Sequence, residues 1–303
     1  MKRFYFLILS LASFPAFSQT LNDGLMMSKK SLCTGFLYGH DQWTNYWEGT
    51  LKRDNQNIGK ITTQSIMWMG TYGLTDKINL IATLPYVQTN STGPTLHEMH
   101  GIQDLTLGAK YNFFNQTIGA GTFKTFAVGT FSTPLTNYTI DFFPLSIGYG
   151  STNLAGRFTT NYTMDKGFYF NASAGYTSRS NVTLDRPAYY TNNTLYESNE
   201  VRMYDLFDYN IDFGYRKNGL QAGVSYLQQN TLGGGDIRRQ DMPFVSNQMN
   251  FYKLGGLVMY NLPNVKNLAV RVSGTYVIAG RNVGQASSFM AGLLYTFHFS
   301  KEQ

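Results

Sequence analysis

Histidine is the commonest metal ligand among side chains and is also a frequent proton carrier, yet this chain has few histidines. Four occur in 303 residues, and two of them, His97 and His100, flank Glu98 in one polar segment. A His-x-x-His spacing with a carboxylate could hold zinc or copper, although Gly101 stands where the zinc-protease pattern has its second histidine. A solvated loop is the alternative interpretation of this candidate metal site.

Two further patterns could indicate catalysis. The run Gly233-Gly234-Gly235 lacks the following Gly-Lys-Ser/Thr of a phosphate-binding loop, so it indicates a flexible connection. No catalytic arrangement of a histidine with a serine that would suggest a hydrolase is recognisable around the four histidines. We therefore predict that the chain is not an enzyme and uses no cofactor.

Six charged residues are more informative, because each lies on the polar side of a segment in which apolar and polar residues alternate. They are Lys110, Arg157, Asp208, Asp212, Lys253 and Arg271. Alternation turns successive side chains of a strand to opposite faces. At mid-height of a membrane barrel, Arg or Lys facing lipid would cost ~2–4 kcal/mol, so we predict that the six face a lumen. They could form an ion-pair network that fills a narrow barrel, or a constriction that selects permeants by charge.

The elements that carry these charges are predicted to be barrel strands, and the clearest lies near the C-terminus. Ala291, Leu293, Tyr295, Phe297 and Phe299 alternate with smaller or polar residues. An apolar face that ends on an aromatic residue is typical of the closing strand of an outer-membrane barrel.

Similar segments follow one another along the chain. We place twelve, at 43–53, 59–73, 76–88, 102–115, 122–133, 146–162, 167–180, 202–217, 219–229, 249–262, 267–279 and 286–299. Short and long connections alternate between them, as periplasmic turns and external loops do in outer-membrane barrels. The predicted fold is all-β, a twelve-stranded antiparallel transmembrane β-barrel. Aromatic residues near segment ends, Trp43 and Trp47 among them, are expected to form the interfacial girdles.

Composition agrees with a barrel in lipid. Aromatic residues make up 16% and charged residues 14% of the chain, whereas ordinary soluble domains carry about 25% charged residues. The formal net charge of +6 is spread without a basic stripe, which argues against a nucleic-acid partner. Cys33 is the single cysteine, so no intrachain disulfide can form.

The N-terminal residues have the features of an export signal. Lys2 and Arg3 precede an apolar stretch, and Ala16-Phe17-Ser18 resembles a cleavage site. We predict a signal peptide over 1–18, a periplasmic lead-in over 19–42 and an outer-membrane barrel over 43–303. The expected partners are outer-membrane lipid and lipopolysaccharide, the barrel-assembly machinery and a small-molecule permeant.

Three motifs resemble those of a known family. The runs TYGLTDKINL at 71–80, LPYV at 84–87 and GIQDLTLGAKY at 101–111 are similar to motifs of the outer-membrane transporter-like proteins linked to the meta-pathway of phenol degradation. The run at 39–49 is similar to members from Bacteroidetes-like bacteria. The resemblance covers roughly 34–115, and it implies a barrel and the uptake of small aromatic or apolar molecules.

Three hypotheses for function follow, from different classes. The leading one is passive passage of small molecules, apolar or aromatic ones among them. The second is a structural or surface-interaction barrel with a plugged lumen, whose long loops bind partners or lipopolysaccharide. The third, an outer-membrane hydrolase, has the least support because no catalytic arrangement is recognisable.

Overall fold

The structure is a computed structural model that describes residues 20–93, 96–238 and 242–299. The predicted signal peptide over 1–18 lies outside the described residues. All regular elements in the described part are β-strands. None of these residues forms a helix long and apolar enough to cross a membrane.

Twelve long strands form the wall of one closed barrel. They are β1 (Ser31–Trp43), β2 (Ile61–Gly73), β3 (Ile78–Ser91), β4 (Asp104–Thr117), β5 (Gly121–Pro134), β6 (Asn153–Met164), β7 (Phe168–Arg179), β8 (Leu206–Lys217), β9 (Leu220–Thr231), β10 (Asn250–Asn261), β11 (Leu268–Arg281) and β12 (Ser287–His298). Each strand pairs antiparallel with its neighbours in sequence. Strand β12 pairs with β1, with Leu294 opposite Gly35, so the sheet has no free edge. The predicted fold class is confirmed.

The first strand of the wall precedes the segment predicted for it at 43–53. The segment predicted at 43–53 forms a small hairpin, Asn45–Glu48 paired with Leu51–Asp54, inside a loop. The wall strand β1 instead occupies 31–43, so residues 31–42 belong to the barrel and not to a lead-in. The inward residues Cys33 and Leu37 pack in an apolar cluster inside the lumen. Both faces of β1 are therefore apolar, and the strand lacks the alternation of apolar and polar residues.

Elsewhere the two faces of the wall follow the predicted alternation. Apolar residues such as Leu254 and Val258 on β10 are exposed on the outer face, while Met259 is buried inside. Two of the residues expected in the aromatic girdles are exceptions. Trp47 is buried, and Trp43 lines a pocket at one mouth of the barrel.

The connections define two different ends of the barrel. The short-turn end carries the connections 74–77, 118–120, 165–167, 218–219 and 262–267. Asn218 and Gly219 have φ of 53° and 78°, the left-handed backbone that a two-residue hairpin turn requires. The long-loop end carries 44–60, 92–103, 135–152, 180–205, 232–249 and 282–286. That the long loops face the outside of the cell stays a prediction.

The lipid-facing side of the barrel can be tested with one substitution at two sites. Leu293 lies midway along β12 and is 56% exposed, and Leu51 in the loop hairpin is 57% exposed. We expect Leu293→Arg to lower the free energy of unfolding by ~2–4 kcal/mol, because the charge faces hydrocarbon. Leu51→Arg faces water and should change it by less than about 0.5 kcal/mol. Denaturant unfolding in lipid vesicles measures both, and equal effects would contradict the assigned membrane span.

Candidate functional site

Residues 20–27 lie inside the barrel, and the exposed residues 28–30 connect them to β1; we call 20–30 the plug segment. At the short-turn end, Lys30 donates its backbone N–H to Gly73 O at 2.7 Å, and its carbonyl accepts from Phe299 N at 2.9 Å. From there the segment reaches inward, where Thr20 and Asp23 contact Lys110 on β4. The plug segment therefore occupies the half of the lumen next to the short turns.

The Lys110 ammonium anchors this segment. Its side chain is 0% exposed. The ammonium donates to Thr20 O at 3.1 Å, Asp23 O at 2.5 Å and Asp23 Oδ1 at 2.9 Å. An ammonium has three donors, so the plug segment satisfies all of them. A buried charge is tolerated only with such partners, which makes this contact a structural requirement.

The Asp23 carboxylate also organises the backbone around it. Asp23 Oδ2 accepts from Thr20 N at 2.5 Å and from Thr20 Oγ1 at 2.9 Å, and Oδ1 accepts from Leu25 N at 3.0 Å. These bonds fold residues 20–25 into a compact turn, as aspartate side chains often do. The turn brings two carbonyl oxygens and one carboxylate oxygen to the same ammonium.

Two glycines allow the plug segment to approach the wall closely. A Cβ on Gly24 would lie 2.3 Å from Cβ and Cγ of Asn161 on β6. A Cβ on Gly73, where β2 ends, would lie 2.0 Å from Ser28 O. Any larger residue at either site would push the segment away from the wall.

An apolar cluster rich in methionine seals the plug segment against the opposite wall. Met27 packs with residues from five strands of the wall, namely Cys33, Leu37, Met69, Met259, Ala269 and Leu294, with Met67 and Met290 alongside. Methionine is flexible and fills irregular gaps well. The seal can therefore adapt to small shifts of the segment.

The six predicted lumen charges lie on inward faces but do not form one ring. Lys110 binds the plug segment, and Arg157 Nη2 pairs with Asp208 Oδ2 at 2.5 Å. Asp212 accepts from Asn210 Nδ2 at 2.5 Å, and it lines a cavity of about 270 Å³ together with Arg271 and Asp23. Lys253 Nζ lies 4.3 Å from the centre of the Phe251 ring. The charges are thus divided among an anchor, an ion pair, a cavity and a cation–ring contact.

Sequence reasoning missed Asp23, the residue that connects several of these charges. It attracts the guanidinium groups of Arg216 and Arg271 as well as Lys110. Arg216 also lies over the Tyr169 ring, 4.4 Å from its centre. The plug segment has no strand periodicity, so no sequence signal placed Asp23 in the lumen.

A pocket lined by aromatic residues lies at the long-loop end of the lumen. Its volume is about 260 Å³, and its wall includes Trp43, Tyr46, Phe143, Ile237, Tyr149 and Met249. The rings of Phe143 and Tyr149 pack 5.2 Å apart. We call this space the mouth pocket.

A second cavity lies deeper and is polar. It has a volume of about 270 Å³, and Asp104, Asn153, Arg179 and Gln229 are among its lining residues. Tyr149 and Met249 line both this polar cavity and the mouth pocket. The Tyr149 hydroxyl donates to Met249 Sδ at 3.4 Å, so this pair forms a partition between the two spaces.

The long loops pack into a cap above the barrel. Their apolar core consists of Val182, Leu184, Tyr189, Val201, Met203, Phe244 and Val245, with Ile140 and Phe143 packed against it. Tyr138 OH donates to Asp104 Oδ1 at 2.6 Å, and burial together with this bond raises the pKa of the Tyr138 phenol. The Arg281 guanidinium, bound to both Asp236 oxygens at 2.7 Å, holds the pKa of that carboxyl below its usual value. These ties fix the loops over the lumen.

The candidate metal segment does not come together as a site. Glu98 Oε2 accepts from Gln88 Nε2 at 3.3 Å, and the His100 ring lies 6.4 Å from the Tyr86 ring. No group of three or more His, Cys, Asp or Glu residues suited to a metal ion occurs within 20–93, 96–238 and 242–299. His97 and Glu98 lie in the connection at the long-loop end, and His100 lies in the short strand Met99–Ile102, which pairs with β3.

A closed twelve-stranded barrel with an apolar outer face defines an outer-membrane β-barrel of channel-like fold. The family model described as "Putative MetA-pathway of phenol degradation" matches residues 54–292. The chain belongs to this family. No curated protein sequence matches it.

Solved structures agree on the fold. An outer membrane channel from Pseudomonas putida F1 superposes with a TM-score of 0.72 at 13% identity, over 90% of this chain and 97% of the channel. The β domain of the Bordetella autotransporter BrkA superposes with a TM-score of 0.50 at 13% identity, over 89% of this chain and 100% of that domain. Identities this low establish the architecture alone.

Docking of the plug segment can be tested at Gly24. We expect Gly24→Val to displace the segment, because the new side chain would overlap Asn161. Hydrogen exchange of the amides over 20–27 should then approach the rate of an unstructured peptide. Gly129→Val is the matched control, since a Cβ there meets no atom within 4 Å. Unchanged protection in the Gly24 variant would contradict the docked arrangement.

Proposed function

We propose that this barrel passes small apolar or aromatic molecules across the outer membrane. The observation that carries the proposal is a series of three spaces along the lumen. The mouth pocket adjoins the polar cavity through Tyr149 and Met249, and a third cavity beside Asp23 lies next to the plug segment. Side chains and one short segment separate these spaces, and both kinds of barrier can move without unfolding the wall.

The lining of the series changes with depth in a way that suits such permeants. The mouth pocket offers ring faces and aliphatic groups, which favour apolar or aromatic molecules over hydrated ions. The polar cavity below offers amides, hydroxyls and Arg179, which can bind a hydroxyl or carbonyl on the same molecule. Membership of a family named for phenol degradation supports the same class of permeant.

In this proposal the Arg157–Asp208 pair acts as the charge-selective constriction. It lies between the polar cavity and the cavity that Asp212 and Arg271 line. On β8, Leu206 lines the first cavity and Asn210 lines the second, on either side of Asp208. Charges at a narrow level of a pore interact strongly with a partly dehydrated permeant. Lys110, Asp212, Lys253 and Arg271 would set the potential on either side of it.

The second hypothesis, a structural or surface-interaction barrel, is favoured by a specific observation. The plug segment fills one end of the lumen, and the loop cap covers the other. A barrel closed in this way could present its loops to partners or lipopolysaccharide without conducting anything. Flux through the purified protein separates the two hypotheses.

The partition between the mouth pocket and the polar cavity provides the main test of passage. We expect Tyr149→Ala to raise the rate of phenol entry into proteoliposomes several-fold, because it removes the ring that divides the two spaces. The control is Tyr190→Ala, since Tyr190 is an exposed tyrosine whose ring lies beside Arg238 in the loop cap. If neither the parent nor the Tyr149 variant speeds phenol entry over empty vesicles, passage is wrong and the structural barrel is the better account.

The constriction has its own electrical test. Arg157→Ser leaves Asp208 without its partner, so we expect the reversal potential in a potassium chloride gradient to shift toward cation preference. Arg186→Ser is the matched control, because Arg186 forms a comparable 2.6 Å pair with Asp141 on the exposed loop cap. A shift of equal size in both variants, or in neither, would overturn the role of the Arg157–Asp208 pair.

A further inference from the structure

The lumen near the short-turn end carries several wall cations, and two carboxylates, Asp23 and Asp212, line the cavity there. Asp23 Oδ1 accepts from Lys110 Nζ at 2.9 Å, and the Asp23 charge attracts Arg216 and Arg271. Arg271 lines the cavity of about 270 Å³ that adjoins Asp23. Asp23 thus binds one wall cation, Lys110 of β4, directly and lies within electrostatic range of Arg216 on β8 and Arg271 on β11.

That acidic group does not belong to the wall. Asp23 is carried by the plug segment, which joins the barrel at Lys30, where β1 begins. The cations, by contrast, are fixed on three strands of a closed sheet. The arrangement resembles a rigid binding site with a tethered ligand in it, because the fixed Lys110 ammonium holds the Asp23 carboxylate by a charge-assisted bond.

We propose that Lys110, with the nearby charges of Arg216 and Arg271, forms a carboxylate-binding site for small permeants, and that Asp23 occupies this site as a tethered substitute ligand. The inference rests on the proposed function in one respect, because a permeant reaches the site through the lumen. A molecule with a carboxylate and a single ring would bind its charge where Asp23 now lies. Its ring would extend into the adjoining cavity, which Met259 also lines.

The tether makes Asp23 a strong competitor. A group on a short linker acts at an effective concentration in the millimolar range, so a free carboxylate binds only while Asp23 is displaced. If water entering the cavity replaces the lost contacts and leaves the site free about a tenth of the time, removing the Asp23 carboxylate tightens the apparent affinity about tenfold.

The test is calorimetric titration of the purified full-length protein in detergent with sodium benzoate. We expect Asp23→Ala to bind benzoate about tenfold more tightly than the parent. Lys110→Met added to Asp23→Ala should abolish the gain, because the main donor is lost. Asp165→Ala is the control, since Asp165 is exposed in a short turn outside the lumen. Heat-modifiable migration shows that each variant is a folded barrel, and Asp23→Asn, which keeps the shape of the side chain, repeats the test if Asp23→Ala does not assemble.

Benzyl alcohol, which has the ring but no charge, separates carboxylate recognition from apolar binding. Its affinity should be the same in the parent and in Asp23→Ala. A benzoate affinity that does not rise when the Asp23 carboxylate is removed, or a rise that persists without Lys110, would overturn the carboxylate site. Phenol flux without a gain in benzoate binding would leave passage standing and reject this site. Benzoate binding as expected without any phenol flux would support the carboxylate site and reject passage.

Discussion

The complete burial of the Lys110 ammonium is the constraint on which the arrangement of the inner lumen depends. A charge placed there must find acceptors for all three of its donors, and the plug segment provides them. Several other features follow from docking that segment. Gly24 and Gly73 leave room for its backbone, and Met27 brings it against the apolar inner faces of β1, β2 and β10–β12. The unusual apolar inner face of β1 is therefore a consequence of an ion contact on the far wall.

Different interactions close the two ends of the lumen. At the short-turn end, the ion contact between Lys110 and Asp23 and the methionine-rich apolar cluster hold the plug segment in place. At the long-loop end, a packed apolar core and the Arg281–Asp236 pair hold loops that form a cap. Between these ends the spaces are separated only by side chains such as Tyr149 and Met249. Opening the barrel thus requires motion of the loop cap, of these side chains and of one tethered segment, while the sheet, whose backbone bonds are all internal, stays intact.

The wall of the barrel could be predicted from sequence because the membrane imposes a strict rule on it. Alternation along β4, β10, β11 and β12 is strong, since one face must be apolar for lipid and the other is free to be polar. The inward direction of Lys110 and Arg271 follows from the same rule. Strand β1 was missed because its inner face meets the apolar seal, which removes the alternation. Trp47 was misassigned to a girdle because its hairpin has the local pattern of a strand but packs in a loop. Asp23 could not be placed at all, because its position depends on Lys110, which is far away in sequence, and on no local pattern.

Release of the plug segment must be coupled to the arrival of new acceptors. Removing one partner of a buried ion pair typically costs 3–5 kcal/mol, which corresponds to roughly a hundredfold to several-thousandfold change in population. A segment that left without replacement would therefore be displaced only rarely. Any group that offers oxygen acceptors to Lys110 as the segment leaves, whether water entering the cavity or a permeant's carboxylate, lowers that cost. A neutral apolar molecule offers no such acceptor and gains nothing at this contact, although it fits the mouth pocket well. In the proposed passage, recognition at the mouth and release at the base would thus favour different parts of a molecule, and a permeant that combines a ring with an anionic oxygen would satisfy both.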